Sequence, residues 1–420
     1  MGQENNDGNS RQSFSALYVR DFRIFWIGNI ISFSGTWMQS VAQGWLIYSL
    51  TKSPLYLGVV ATAASLPVLI FTLLGGVVAD RFAKRKLLIV TQSLSIIPAI
   101  LLAVLTGLNI TTVWEIIFIA FFLGTVNAFD VPARQSFLSE MVQRGRLLNA
   151  IALNSAAFNG GRVLGPVAAG IIIASAGIAA CFYLNALTFL AVIFALLRIK
   201  AKGEHKGLPM TNGRYHLMAA LSVLLRDLFE AFRFVKNEKG MFRVMGLVGV
   251  FSLFGIPFVT FLPVFAEDIL RVGPKGLGFL AGATGIGALS ASLIIAFRGD
   301  IIEKGRFMAL AGLVFSLSLF ALAVSRDYHF SIILLVFAGW GAVSFFAVAN
   351  SFIQLSTPDN LRGRVMSVYT FFFLGFAPFG NLVLGSVADL AGTPSAVIAG
   401  SIICFITTVM LYKDLKTLRR

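Results

Sequence analysis

Long apolar stretches recur along this chain, and they constrain its possible folds more than any other feature of the sequence. Twelve of them approach or exceed the roughly 20 residues that a helix needs to cross a bilayer. Of the 420 residues, 57% are hydrophobic and 13% are charged, whereas soluble domains carry about 25% charged residues. Because so little polar surface is present, the composition excludes a disordered chain, a soluble enzyme and a single-span receptor.

The apolar pattern predicts an all-α membrane protein with twelve transmembrane helices in two six-helix halves. A tail (1–22) precedes the first six-helix bundle (23–198), and a basic linker (199–241) leads to the second bundle (242–412) and a tail (413–420). Six spans on each side of a long linker indicate a duplicated unit. The predicted spans are 23–50, 55–79, 86–107, 112–133, 150–174, 178–198, 242–266, 276–297, 306–324, 329–354, 365–387 and 394–412.

The distribution of Lys and Arg predicts the orientation of the chain. With the N-terminus inside, 29 of the 34 basic residues fall in cytoplasmic segments, four fall in outer loops, and Arg162 lies within a span. This asymmetry follows the positive-inside rule, so we expect both termini to be cytoplasmic and the protein to lie in the cytoplasmic membrane. The same clustering assigns the net charge of +15 to the lipid bilayer and argues against a nucleic-acid partner.

Part of the linker repeats leucines at helical spacing, from Leu221 through Leu224 and Leu225 to Leu228. Two interpretations stay open. The segment is either an amphipathic helix on the inner membrane face or a linker helix that packs on the underside of the bundle.

Groups that carry catalysis or bind metals are scarce. His205, His216 and His329 form no cluster with metal-ligand spacing, and the two cysteines lie in separate apolar segments. The sequence contains neither a P-loop nor a G-x-S-x-G elbow. We therefore predict no enzymatic activity, no cofactor and no metal.

The inner loop between the second and third spans carries the first informative motif. It reads G-x-x-x-D-R-x-x-[KR]-R, formed by Gly76, Asp80, Arg81, Lys84 and Arg85. Positive-inside charge accounts for the bases but not for an acid at the end of a helix of small residues.

The fifth span carries a second motif, G-x-x-x-G-P-x-x-A-G, in which Gly161, Gly165 and Gly170 accompany Pro166. Glycines four residues apart let two helices touch backbone to backbone, and proline removes a hydrogen-bond donor and kinks the helix. Arg162 follows the first glycine, and charge at this depth is costly and usually functional. It either binds an anionic substrate or a carboxylate partner, or bonds backbone carbonyls that hold neighbouring helices together.

The two motifs, each in its expected place, resemble those of the major facilitator superfamily, and the second is similar to the antiporter motif of its drug-efflux branch. The first span, with Phe25, Trp26 and Gly35, resembles the branch that contains macrolide-efflux proteins and the enterobactin exporter. The resemblance implies close helix approach at Gly76. It also implies an inner-gate charge latch formed by Asp80, Arg81, Lys84, Arg85 and Asp130, in which Asp130 pairs with Arg81 or Arg85.

One departure from the family pattern concerns proton coupling. Many drug–proton antiporters carry an arginine in the fourth span four residues before a glycine, but here Ala120 precedes Gly124. Coupling through that arginine is therefore not expected. The remaining candidate proton sites are Asp21, Glu115, Asp130 and Glu140.

The resemblance implies that the first, fourth, seventh and tenth spans line a substrate cavity. Uncharged polar and aromatic side chains on these spans suit amphipathic molecules. At the end of the seventh span, Glu267 and Asp268 belong either to an outer gate or to a solvated loop. The candidate cavity residues are Asn29, Thr36, Gln39, Gln43, Asn127, Trp340 and Asn350.

The sequence thus predicts a monomeric secondary transporter that exports small amphipathic or aromatic molecules by alternating access, with protons as the coupling ion. One alternative is a dedicated exporter of a single metabolite such as a siderophore. A lipid flippase and a non-transporting membrane sensor or scaffold also stay open.

Overall fold

The computed structural model describes residues 15–201, 230–298 and 303–412. Every regular element within these ranges is helical, as the apolar pattern predicts. A helix satisfies its backbone hydrogen bonds internally, which is what lipid requires of a spanning segment. The amphipathic linker helix expected from Leu221 onward lies largely outside the described residues, whose helical conformation resumes at 230–237.

Twelve helical segments of at least 18 residues follow one another in the described part of the chain, and most are joined by short connections. Short 3₁₀ turns lie at Ser15–Tyr18 and Arg144–Arg146. The long segments are α1 (Arg20–Thr51), α2 (Pro54–Arg81), α3 (Lys84–Gly107), α4 (Val113–Met141), α5 (Leu147–Ala176), α6 (Ile178–Arg198), α7 (Lys239–Ile269), α8 (Gly273–Arg298), α9 (Lys304–Val324), α10 (Tyr328–Ser356), α11 (Arg362–Ala391) and α12 (Thr393–Met410).

Eleven of these twelve segments are long and apolar enough to cross a membrane. The exception is α1, which has 32 residues but a lower mean hydropathy, because Asn29, Gln39 and Gln43 interrupt its apolar sequence. The segment with the most polar composition is therefore the one that carries four of the seven candidate cavity residues.

Backbone geometry repeats between the first six and the last six helices. Gly177, between α5 and α6, has a φ of 84°, and Gly392, between α11 and α12, has a φ of 89°. Lys52 follows α1 and Arg271 follows α7, with φ values of 51° and 54°. Positive φ is uncommon outside glycine, so its recurrence at equivalent connections supports an internal duplication.

Two segments depart from a regular α-helix. A π-helical turn interrupts α7 at Phe251–Gly255, and another interrupts α11 at Phe371–Gly375. The turns contact each other, since Ser252 Oγ donates a hydrogen bond of 2.5 Å to the carbonyl of Phe373. Turns of this kind occur often at functional sites.

Grouping by contacts divides the chain into two compact units. The first contains Met1–Gln43 and Ile70–Leu208, and the second contains Gly44–Leu69 and Pro209–Arg420, counted over the described residues. The end of α1 and the start of α2 therefore group with the second half of the chain. The two-bundle division drawn from the sequence, 23–198 and 242–412, stays a prediction.

Candidate functional site

The first motif covers the end of α2 and the start of α3, and its residues have different environments. The close helix approach expected at Gly76 occurs instead at Gly75, where an added Cβ would lie 2.9 Å from the carbonyl carbon of Ala128 in α4. A Cβ on Gly76 would meet nothing within 4 Å. Asp80 and Arg81 are exposed, and neither forms an ion pair within the described residues.

The two bases at the start of α3 brace neighbouring helices of the first unit. Lys84 is buried and its Nζ lies 2.7 Å from a carboxylate oxygen of Glu140 in α4. Arg85 donates from Nε to the carbonyl of Leu196 at 2.6 Å and from Nη2 to that of Leu197 at 2.9 Å. These carbonyls end α6, where the helix dipole favours a positive charge.

The resemblance implied that Asp130 pairs with Arg81 or Arg85, but this is wrong. Asp130 pairs with Arg134 of its own helix. Arg134 donates from Nε at 2.9 Å and from Nη2 at 2.7 Å to one carboxylate oxygen of Asp130. The other oxygen accepts from Thr91 at 2.7 Å and from Gln92 at 2.8 Å, both in α3. This short-range pair prevails because Arg134 lies one helical turn beyond Asp130, which makes the two side chains neighbours.

The antiporter-like motif of α5 lies directly against α1. A Cβ on Gly161 would come within 2.9 Å of the Phe33 backbone, and one on Gly165 would come within 2.9 Å of the Met38 backbone nitrogen. Pro166 and Gly170 are buried on the same helix. The motif glycines thus permit backbone contact between the fifth and first spans.

Arg162 stacks on an aromatic group that α1 and α5 share. Its guanidinium carbon lies 5.5 Å from the ring centre of Trp37. Phe158 lies 5.7 Å from Trp37 and 5.4 Å from Phe33, both edge-on. Within the described residues, Arg162 forms neither an ion pair nor a hydrogen bond, so neither a protein carboxylate nor a backbone carbonyl holds it in this structure.

The candidate cavity residues of α1 have different environments. Asn29 is fully buried and accepts a hydrogen bond from Nη1 of Arg134. Gln39 is buried and accepts from Asn185 of α6 at 2.6 Å, and Gln43 is buried as well. Thr36 is exposed and donates to the carbonyl of Ser32. Two of these four side chains are therefore already bound by neighbouring helices.

The candidates in later helices are more accessible. Asn127 is exposed in α4, whereas Trp340 and Asn350 of α10 are partly buried. Trp340 contacts the ring of Phe307 edge-on at 6.0 Å, and Asn350 accepts a hydrogen bond from Gln354.

A set of polar contacts in the second unit joins the end of α1 and the start of α2 to α7 and α11. Tyr48 donates to Asp268, Lys52 lies 3.2 Å from Glu267, and Ser53 donates to Asp389 at 2.5 Å. In the same region, Gly58 of α2 lies against the Asn381 backbone of α11. We call the three pairs Tyr48–Asp268, Lys52–Glu267 and Ser53–Asp389 the outer-end contacts, after the predicted outer position of the loop that follows α1. Sequence reasoning missed Tyr48, Ser53 and Asp389 because their partners are more than 200 residues away along the chain.

Metal-binding groups do not assemble in the described part of the chain, where no three His, Cys, Asp or Glu side chains come close enough to hold an ion. The thiols of Cys181 and Cys404 are both buried and free.

This architecture defines a class. Twelve long helical segments in the described residues, eleven of them apolar enough to span a membrane, and backbone contact between the fifth and first of them are features of a multi-pass membrane transporter for small molecules. The profile of the transmembrane secretion effector family, within the major facilitator superfamily, matches residues 11–418. The chain belongs to this family.

Relatives of known function match nearly the whole chain. The Staphyloferrin A transporter of Staphylococcus aureus is 23% identical over 88% of this chain and 90% of its own length. The multidrug efflux pump Tap of Mycolicibacterium fortuitum is 24% identical over 88% and 89%. The enterobactin exporter EntS of Escherichia coli is 23% identical over 95% and 92%.

Solved structures show the same fold at low sequence identity. The POT family transporter PepTSo superposes with a TM-score of 0.74 at 13% identity, covering 96% of this chain and 99% of its own. A bacterial homologue of the human lysosomal transporter Spinster gives a TM-score of 0.69 at 12% identity, covering 94% and 96%.

Proposed function

We propose that this protein exports small amphipathic and aromatic molecules across the cytoplasmic membrane by alternating access, as a proton-coupled monomer with both termini inside. Membership of a secretion family supports export as the direction of transport. So do the relatives described as an efflux pump and as an exporter. The positive-inside distribution of Lys and Arg supports the orientation.

The packing of the antiporter-like motif on α1 carries this proposal. Gly161 and Gly165 bring the backbone of α5 against the helix that contributes most of the candidate cavity residues. A contact without intervening side chains lets two helices slide or tilt against each other with little repacking. Export by alternating access requires such a movement at the helix that binds substrate.

We propose that the outer-end contacts hold the ends of α1, α2, α7 and α11 together in one state of the transport cycle. With the N-terminus inside, Lys52 and Ser53 lie between the first two spans on the outer side, where they meet acids at the ends of α7 and α11. In the same structure Asp80 and Arg81 of the inner motif are exposed. We propose that these two residues form the inner latch when the outer contacts break. Gly75, Lys84, Arg85 and Asp130 then brace the helices that carry the latch.

Proton coupling requires an acid that changes its protonation during the cycle. Asp130 has a cation as its partner, whereas Asp268 accepts a hydrogen bond from a neutral hydroxyl, that of Tyr48. We propose Asp268 as a coupling acid. Each proton that enters supplies about 2.3 kcal/mol per 100 mV of membrane potential.

The test is uptake of the fluorescent cation ethidium into inverted membrane vesicles, with and without a proton uncoupler. We expect uptake that the uncoupler abolishes, and a rate at least fivefold lower for Asp80→Asn. Asp359→Asn is the matched control because Asp359 is also an exposed acid in a predicted inner loop. Its rate should stay within about twofold of wild type.

Two results would contradict parts of the proposal separately. Uptake that persists with the uncoupler would reject proton coupling but keep export. Equal rates for Asp80→Asn and Asp359→Asn would reject the latch.

A further inference from the structure

We infer that Arg162, together with Trp37 and Phe158, forms a binding site for the anionic group of an aromatic substrate. This inference rests on the proposed export function and assigns to its substrate class aromatic anions, such as carboxylates and phenolates, beside aromatic cations. The motif resemblance assigns a packing role to the neighbouring glycines and no role to the arginine.

The site is built from two matching rows of side chains. On α1 the row is Asn29, Phe33 and Trp37, and on α5 it is Asn154, Phe158 and Arg162. Residues four apart lie on the same helix face, so each row presents an amide at one end and a large group at the other. The ring contacts at 5.4 and 5.7 Å and the guanidinium 5.5 Å from Trp37 show that the rows face each other.

Charge in this region is unbalanced. Arg134 stacks on Phe33 at 5.2 Å, but Asp130 neutralises it through two hydrogen bonds. Arg162 has no such acid among the described residues. A guanidinium within a membrane span is costly unless it is paired, so an incoming anion supplies the missing charge. The five N–H donors of the Arg162 guanidinium suit a carboxylate held in a bidentate geometry.

The rest of the site suits an aromatic body with polar substituents. Phe158 is 44% exposed, and Trp37 and Phe158 offer rings on which a substrate ring stacks. At the other end of the rows, Asn29 Nδ2 and Asn154 Oδ1 are buried and have no hydrogen-bond partner in the described residues. One donor and one acceptor are therefore left for a substituent of the ligand or for water.

The experiment compares an aromatic anion and an aromatic cation in the same vesicles. Purified full-length protein in phosphatidylcholine vesicles is assayed for binding and transport of 2-naphthoate and of ethidium. For each variant we compare the affinity for naphthoate with that for ethidium, and likewise the two transport rates. In Arg162→Gln, we expect both of these naphthoate-to-ethidium ratios to fall at least tenfold. Arg162→Lys should retain an intermediate ratio because it keeps the charge but loses the bidentate geometry.

A matched control is available in the same unit. Arg198 stacks on Phe194 at 4.2 Å but is exposed at the end of α6, so Arg198→Gln should leave the ratio unchanged. Trp37→Leu tests the aromatic wall without removing the charge, and should lower naphthoate affinity several-fold even if Arg162→Gln fails to fold.

Several outcomes would overturn the inference. If Arg162→Gln lowers the affinity and the transport rate equally for both ligands, the arginine only holds α1 and α5 together. If wild type transports ethidium but neither binds nor transports naphthoate, export stands and the anion site is rejected. If wild type binds naphthoate but transports neither ligand, the anion site stands and the proposed function is rejected. Loss of naphthoate binding when phosphatidylglycerol is added would assign the site to a lipid headgroup.

Discussion

At the scale of single residues, the central feature is the buried network around Asp130. Its carboxylate accepts four hydrogen bonds, two of them from Arg134, which in turn donates to Asn29. Asp130 and Arg134 are 4% and 8% exposed. A buried ion pair of this kind need not be a large source of stability, but removal of one partner leaves an unpaired buried charge.

Asp130→Asn should therefore destabilise the protein strongly, by about 3–5 kcal/mol, which is typical for the loss of one partner of a buried pair. The measurement is thermal unfolding of purified protein in detergent. Asp80→Asn is the control, since an exposed carboxylate contributes within about 0.5 kcal/mol. The double variant Asp130→Asn with Arg134→Gln should recover part of the loss. Equal midpoints for Asp130→Asn and Asp80→Asn would show that the network does not support the fold.

Single residues also show which contacts the spacing of a motif predicts and which contacts it does not predict. The motif at the end of α2 and the start of α3 implied, through the family resemblance, that Asp130 pairs with Arg81 or Arg85, but each of these groups has a different environment. Two adjacent glycines exchange roles, because Gly75 and not Gly76 faces α4. A motif specifies residue types at positions along the chain, whereas the rotation of the helix about its axis decides which glycine meets its neighbour.

At the scale of elements, close helix contacts recur in equivalent places. Gly161 and Gly165 bring α5 onto α1, and Gly380 brings α11 to within 2.9 Å, measured from an added Cβ, of the Leu253 carbonyl carbon in α7. The fifth helix of each half thus contacts the first helix of the same half through glycine. The same kind of contact therefore recurs at equivalent helices in the first six and the last six segments.

Gly165→Ala should separate α5 from α1, because the added methyl group would lie 2.7 Å from Trp37 Cβ and closer still to the backbone oxygen of Ser34. Overpacking of this kind costs about 1–3 kcal/mol, and transport should fall by at least tenfold. Gly160→Ala is the matched control on the same helix, since its Cβ would meet nothing within 4 Å.

The measurements are vesicle transport and thermal unfolding for both variants. Normal transport by Gly165→Ala would mean that the close contact is not needed for the cycle. An equal loss of transport with Gly160→Ala would mean that α5 needs the backbone freedom of glycine, and not the close packing at Gly165.

At the scale of the whole molecule, the outer-end contacts are the feature that the proposed alternating access must break. They join residues separated by 215 to 336 positions along the chain. All of them lie within the second unit, which includes the end of α1 and the start of α2.

A disulfide between Ser53→Cys and Asp389→Cys should hold this end closed, since the native side chains are hydrogen-bonded at 2.5 Å. We expect oxidation to lower transport at least tenfold and reduction to restore it. The two native thiols are buried, which limits side reactions. Full transport by the oxidised pair, verified by thiol titration, would contradict opening at this end.

Thr106→Cys with Thr111→Cys is the control pair. These hydroxyls lie 3.3 Å apart, but both belong to the first unit, at the end of α3 and the loop after it. A disulfide there should leave transport intact.

Taken alone, the sequence determined the class of fold, the number of helical segments and the family. Apolar length and charge asymmetry are local properties, and lipid admits few backbone conformations, so these features can be read without any knowledge of the packing. The two motifs carried the family resemblance for the same reason, because each lies within a few turns of one helix or its adjoining loop.

Only the tertiary structure decided which side chains meet. It paired Asp130 with Arg134, assigned Lys84 to Glu140, left Arg162 without an acid in the described residues, and joined Tyr48 to Asp268. These outcomes depend on helix rotation and on contacts between segments far apart in sequence. Apolar periodicity does not encode either of them, because in lipid a helix is apolar on both its buried and its exposed faces.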